Sequence, residues 1–76
     1  MVWIKAVIPK EDYLVEVQLD NGNGIMLNMK SRLGAVRFGM LADRELFKNV
    51  TTDGKQILWE DQVEISVSEV FQLAQK

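Results

Sequence analysis

Neither cysteine nor histidine occurs anywhere in the 76 residues. Without cysteine there is no disulfide, and without either residue a zinc staple of nitrogen and sulfur ligands is excluded. The same two absences remove thiol catalysis and every triad that needs an imidazole base. Lys30-Ser31 offers no substitute, because adjacent residues of an extended chain point to opposite faces. Proline is nearly missing, with Pro9 alone, and no apolar run approaches the roughly 18 residues of a membrane span. Met1 to Lys5 lacks the basic start, apolar stretch and small-residue cleavage site of a secretory signal. Small secreted domains usually substitute disulfides for core, so a cytoplasmic location is expected.

What is present is ordinary globular material: 47% hydrophobic residues, 26% charged residues and a net charge of -2. A second core would need about 50 more residues, so residues 1–76 are expected to form a single domain. A domain this small buries roughly 60% of its unfolded surface. Its stability must come from packing, helped by self-association, and a homodimer is expected.

Residues 2–8, VWIKAVI, are rich in β-branched and aromatic side chains and predict an edge strand that stops at Pro9. Tyr13, Val15, Val17 and Leu19 alternate with polar residues, which predicts a strand with one wet face. Asp20-Asn21-Gly22-Asn23-Gly24 then predicts a hairpin into the alternating Ile25, Leu27 and Met29. Periodicity fades from Lys30 to Phe38, an irregular crossing segment. Asp43 is placed to cap a short helix that buries Leu46 and Phe47. Asp53-Gly54 predicts a second hairpin, and Glu60-Asp61 a turn into the strand Gln62 to Ile65. Ser66 and Glu69 match a capping box that opens a closing helix, with Val67, Val70, Phe71 and Ala74 as its apolar stripe. The expected class is α+β: a mainly antiparallel sheet built from hairpins, one short middle helix and a C-terminal helix, with the helices on one face.

No catalytic, metal-binding or cofactor-binding residues are assigned, and the chain is not expected to be an enzyme. The carboxylates at Glu11-Asp12 and at Glu60, Asp61 and Glu64 read as solvated turn and strand residues, and Gly22-Asn23-Gly24 as turn chemistry rather than a phosphate cradle. Trp3 and Trp59 read as core, and burial is favoured over exposure for Phe38, Met40 and Leu41.

Charge is distributed unevenly. All three arginines lie between Lys30 and Lys48, where Lys30, Arg32, Arg37, Arg44 and Lys48 face only Asp43 and Glu45, a local +3. The flanking segments sum to -2 and -3. A basic island with interleaved apolar residues suits an acidic protein partner, so Arg32, Arg37, Phe38, Met40 and Arg44 are the candidate partner-binding residues. As exposed charges, the arginines are expected to matter little for folding. A sequence pI near 5 and the lack of a recognition helix argue against nucleic acid. A ligand-binding or accessory domain with a pocket between sheet and helix remains the alternative.

Pro9 to Tyr13, the strand into Asp20-Asn21-Gly22, Leu41-x-Asp43-x-x-Leu46-Phe47-x-x-Val50, Leu58-Trp59 and Glu64-Ile65-Ser66 follow one another in an order that resembles a family of short bacterial proteins known as a domain of unknown function. Some members are similar to antitoxins encoded beside small toxins, and some carry a C-terminal helix-turn-helix. The resemblance implies a protein-binding role, with a small toxin as the partner. Two departures are visible: Gln62 stands where the family often has Gly, and the sequence ends at Lys76 with one helix after the sheet, so operator binding by this chain alone is not expected.

Overall fold

A computed structural model describes residues 2–60 and 62–74. The chain has the expected α+β class, antiparallel hairpins with a short middle helix and a C-terminal helix, and its strands fall into two three-stranded sheets. The first, in the order β1-β2-β3, contains β1 (Ile4–Lys10), β2 (Leu14–Leu19) and β3 (Gly24–Asn28). The second, in the order β4-β5-β6, contains β4 (Val50–Thr52), β5 (Gln56–Trp59) and β6 (Val63–Ser66). β1 lies beside β4, and the Ile4 N–H donates to the Gly54 carbonyl at 2.8 Å. Every strand thus pairs with a neighbour one short turn away, which is why the hairpin signals were legible.

β1 runs through Pro9 to Lys10, where the expected strand ended before it. Pro9 stands opposite Val15 on the outer strand of its sheet, a place where a missing ladder donor is tolerated. Tyr13 lies outside β2, in the tight 3-10 turn Glu11–Tyr13 that joins β1 to β2. The β2 alternation is otherwise as expected: Val15, Val17 and Leu19 are buried and the residues between them half-buried.

Between the sheets the chain passes through two further 3-10 stretches, Lys30–Arg32 and Val36–Ala42, and then the helix α1 (Arg44–Lys48). Asp43 caps α1, its carboxylate accepting from the Glu45 and Leu46 backbone N–H groups. The helix α2 (Val67–Ala74) follows β6 and packs against β3 as well as β6, so it bridges the two sheets. The Glu69 N–H donates to the Ser66 hydroxyl at 3.3 Å, as the capping box requires. The Glu69 carboxylate is engaged elsewhere, with Arg37. The buried face of α2 is also rotated from the expected stripe. Val70 is buried and Val67 and Leu73 half-buried, while Phe71 and Ala74 are exposed.

The core gathers both sheets with Phe38, Leu41 and Phe47 of the crossing segment. Trp59 is fully buried, stacks at 6.0 Å on Phe47 and donates its indole N–H to the Phe47 carbonyl at 3.1 Å. Trp3 departs from its expected place in the core. It is 39% exposed, with the Lys55 ammonium 5.5 Å from its ring centroid. Phe38 and Leu41 are buried as favoured, whereas Met40 is 44% exposed. Asp61, of the expected acidic turn, lies outside the described residues.

Candidate functional site

The turn between β1 and β2 is locally strained. Asp12 and Tyr13 adopt φ values of 60° and 61°, consecutive left-handed conformations that side chains other than glycine rarely take. Asparagine and aspartate tolerate that region best, which suits position 12 but not Tyr13. Long-range contacts hold Tyr13 there: its hydroxyl donates to the Ala42 carbonyl at 2.6 Å, and its ring meets Phe47 edge-on at 5.2 Å. The Met29 N–H closes the arrangement by donating to the Tyr13 carbonyl at 2.9 Å.

Held in this way, the turn forms one wall of a cleft and α1 forms the other. The cleft has a volume of about 380 Å³ and is lined by Lys10, Glu11, Asp12, Tyr13, Arg44, Phe47 and Lys48. That volume falls within the range of small-ligand sites, roughly 300–1,000 Å³. Its aromatic side is the Tyr13–Phe47 pair. Lys10 is paired with Glu16 at 3.5 Å, and Asp12 with Lys30 at 3.9 Å. The Glu16 carboxyl is held below its ordinary range, first by the hydrogen bond from Gln18 and further by Lys10. Arg44 and Lys48 are exposed, one helical turn apart, and make no ion pair among the described residues. The cleft thus brings Arg44 and Lys48, unpaired among the described residues, together with the Tyr13–Phe47 pair and the Glu11 carboxylate.

A second depression lies along α1, with a volume of about 340 Å³, lined by Met40, Asp43, Glu45, Leu46, Asn49, Glu60 and Gln62. Among the described residues no three acidic side chains are placed to share a metal ion.

With this geometry established, comparison with known proteins gives one match. A family model described as "Protein of unknown function (DUF2442)" covers residues 4–75. The chain belongs to that family. No curated protein and no solved structure matches it.

The five candidate residues of this DUF2442 chain do not share one surface. Arg32 is half-buried, and its guanidinium donates to the Leu73 carbonyl at 3.2 Å, near the end of α2. Arg37 forks onto both oxygens of Glu69, donates to the Glu64 carbonyl and lies 4.9 Å from the Phe38 ring centroid. The contact with Glu69 raises the Arg37 pKa and lowers that of the Glu69 carboxyl. Phe38 is core. Arg44 lines the larger cleft, and Met40 the smaller depression on the other flank of α1. Arg32 is thus half-buried instead of exposed, and Arg37, though exposed, is engaged within the fold; together they tie the crossing segment to α2 and β6. Lys48 counts in the basic island but is not among the candidates, Glu11-Asp12 reads from sequence only as a solvated turn, and the alternation places Tyr13 in a strand, since nothing in its residue type announces a left-handed conformation. Asp12 was the available signal.

Proposed function

We propose that the chain is a protein-interaction module that engages its partner, without catalysis, through the cleft between the β1–β2 turn and α1. One observation carries this reading: Arg44 and Lys48 line one cleft with Tyr13 and Phe47 and form no ion pair among the described residues, while Arg32 and Arg37 are committed within the fold. Exposed guanidinium and ammonium groups beside an aromatic pair make an interface anchor that recognises carboxylates on the partner. The chemistry is consistent with an antitoxin-like role in which the partner is a small bacterial toxin. The volume of the cleft supports a second reading, a pocket for a small anionic ligand.

The test compares immobilised wild-type protein with the Arg44→Glu/Lys48→Glu variant. A protein retained from host lysate by the wild type and lost by the variant, with unchanged circular dichroism, is the expected result. Its association should slow as salt rises, because charge-steered encounter is screened beyond about 8 Å at physiological ionic strength. Equal retention would remove the cleft from the interface. If native mass spectrometry shows a small ligand bound to the wild type alone, the second reading takes precedence.

A further inference from the structure

Helix α1 divides a cleft of mixed charge, in which its own Arg44 and Lys48 lie, from a depression lined by carboxylates alone among its charged residues. In helical projection Arg44 and Lys48 occupy one flank, Glu45 and Asn49 the other, and Phe47 points into the core. The basic flank opens on the cleft already described. The opposite flank descends into the depression whose rim carries Asp43, Glu45 and Glu60, with the half-exposed Met40 and half-buried Leu46 as its apolar part. None of these three carboxylates forms an ion pair among the described residues. Asn49 donates to Glu60 at 2.9 Å, which leaves the Glu60 charge uncompensated.

An arginine or lysine side chain is an apolar stem with a charged head. Laid in the acidic depression, its stem would cover Met40 and Leu46 while its head meets the carboxylate of Glu45 or Glu60 on the rim, Asp43 being engaged in capping α1. The matching cations are on the same helix. From this complementarity we infer that the exposed face of α1 is a self-association surface, and that the occupant of the acidic depression is the Arg44 and Lys48 flank of a second copy of this chain. A two-fold axis parallel to α1 sets the basic flank of each copy against the acidic flank of the other. Both contacts then form at once and the assembly closes at two copies. This surface is separate from the apolar stripe of α2, of which Val70 is buried and Val67 half-buried while Phe71 and Ala74 are exposed. The inference does not rest on the partner-binding reading, and it has a consequence for it: a dimer built this way covers the cleft, so self-association and partner binding compete.

Sedimentation of the purified chain alone tests this, with no partner present. The wild type should dimerise with concentration. Its dissociation constant should rise at least about tenfold as ionic strength goes from about 0.01 M to about 1 M, where the Debye length falls from about 30 Å to about 3 Å. Arg44→Glu/Lys48→Glu and Glu45→Lys/Glu60→Lys should each be monomeric, and an equimolar mixture of the two should recover a one-to-one complex. If either charge reversal perturbs the circular dichroism spectrum, the neutral pair Arg44→Gln/Lys48→Gln replaces it and should also lose the dimer. A wild type that stays monomeric, a reversed variant that dimerises like the wild type, or a mixture that stays monomeric would each overturn the inference.

Discussion

In the two sheets, residues 4–28 and 50–66, each strand is paired with the next across a short turn, and the apolar residues are sorted by period-2 alternation. The segment between them, residues 29–49, has no ladder. Its buried Met29, Phe38, Leu41 and Phe47 anchor it in the core, and polar side chains tie it to distant residues: Tyr13 to Ala42, Arg32 to Leu73, and Arg37 to Glu64 and Glu69. The difference shows that an irregular backbone without a ladder is held by buried apolar side chains, with long-range polar bonds in the place of strand pairing.

The largest expected effect lies where the two regions meet. Trp59→Ala removes an indole that packs on Phe47 of α1 and satisfies its carbonyl, at a cost of about 3–5 kcal/mol. A domain of this size has a total stability of roughly 4–11 kcal/mol. The midpoint of thermal unfolding should fall by at least about 12 °C. A wild-type midpoint would show that sheets and crossing segment are held independently.

A smaller effect is expected within the sheets alone. Gly54 has φ 98°, and a Cβ there would stand 3.4 Å from Trp3. Gly54→Ala should cost about 1–2 kcal/mol in denaturant unfolding, because a side chain disfavours the left-handed turn that closes the β4–β5 hairpin. Full retention of stability would mean that the hairpin depends on tertiary packing more than on its turn.

The smallest effect tests the crossing segment. Arg37→Ala should cost about 0.5–1 kcal/mol, since the pair it breaks is half exposed. Its pH dependence is the sharper readout. Arg37, through its hydrogen bonds, holds the Glu69 carboxyl below its ordinary range. A carboxyl depressed in the folded state stabilises above its unfolded pKa, and that contribution fades as pH falls through the folded value. The gap in melting temperature between wild type and variant should therefore be present at neutral pH and close on acidification below the glutamate range. A gap that persists there would assign Arg37's role to its contact with Phe38 and its bond to the Glu64 carbonyl.

The same division explains how much could be read from sequence. Asn21-Gly22, Asp53-Gly54 and the alternation of β2 are local signals, and each appears as a turn or strand where expected. Asp43 and Ser66 cap their helices for the same reason. The division into two sheets was not legible, because it depends on how β1 meets β4 across some 40 intervening residues. Arginine 37 could be seen as a cation but not as the partner of Glu69, and a basic run was read as one surface when its members point to different neighbours. At the candidate site Arg44 was legible as charge. The cleft was not, since it is made by a strained turn whose conformation is imposed by Ala42, Met29 and Phe47.

The unequal placement of the two tryptophans gives the molecule a pair of built-in optical reporters. Trp59 is sealed from solvent, so its fluorescence should be blue-shifted and inaccessible to aqueous iodide while the core holds, and should move to the red when it opens. Trp3, half in water beside Gly54 and Lys55, is reachable by iodide in the folded protein. Iodide quenching then follows the seam between the sheets and the emission maximum follows the core, so loosening of one can be told from melting of the other in a single cuvette.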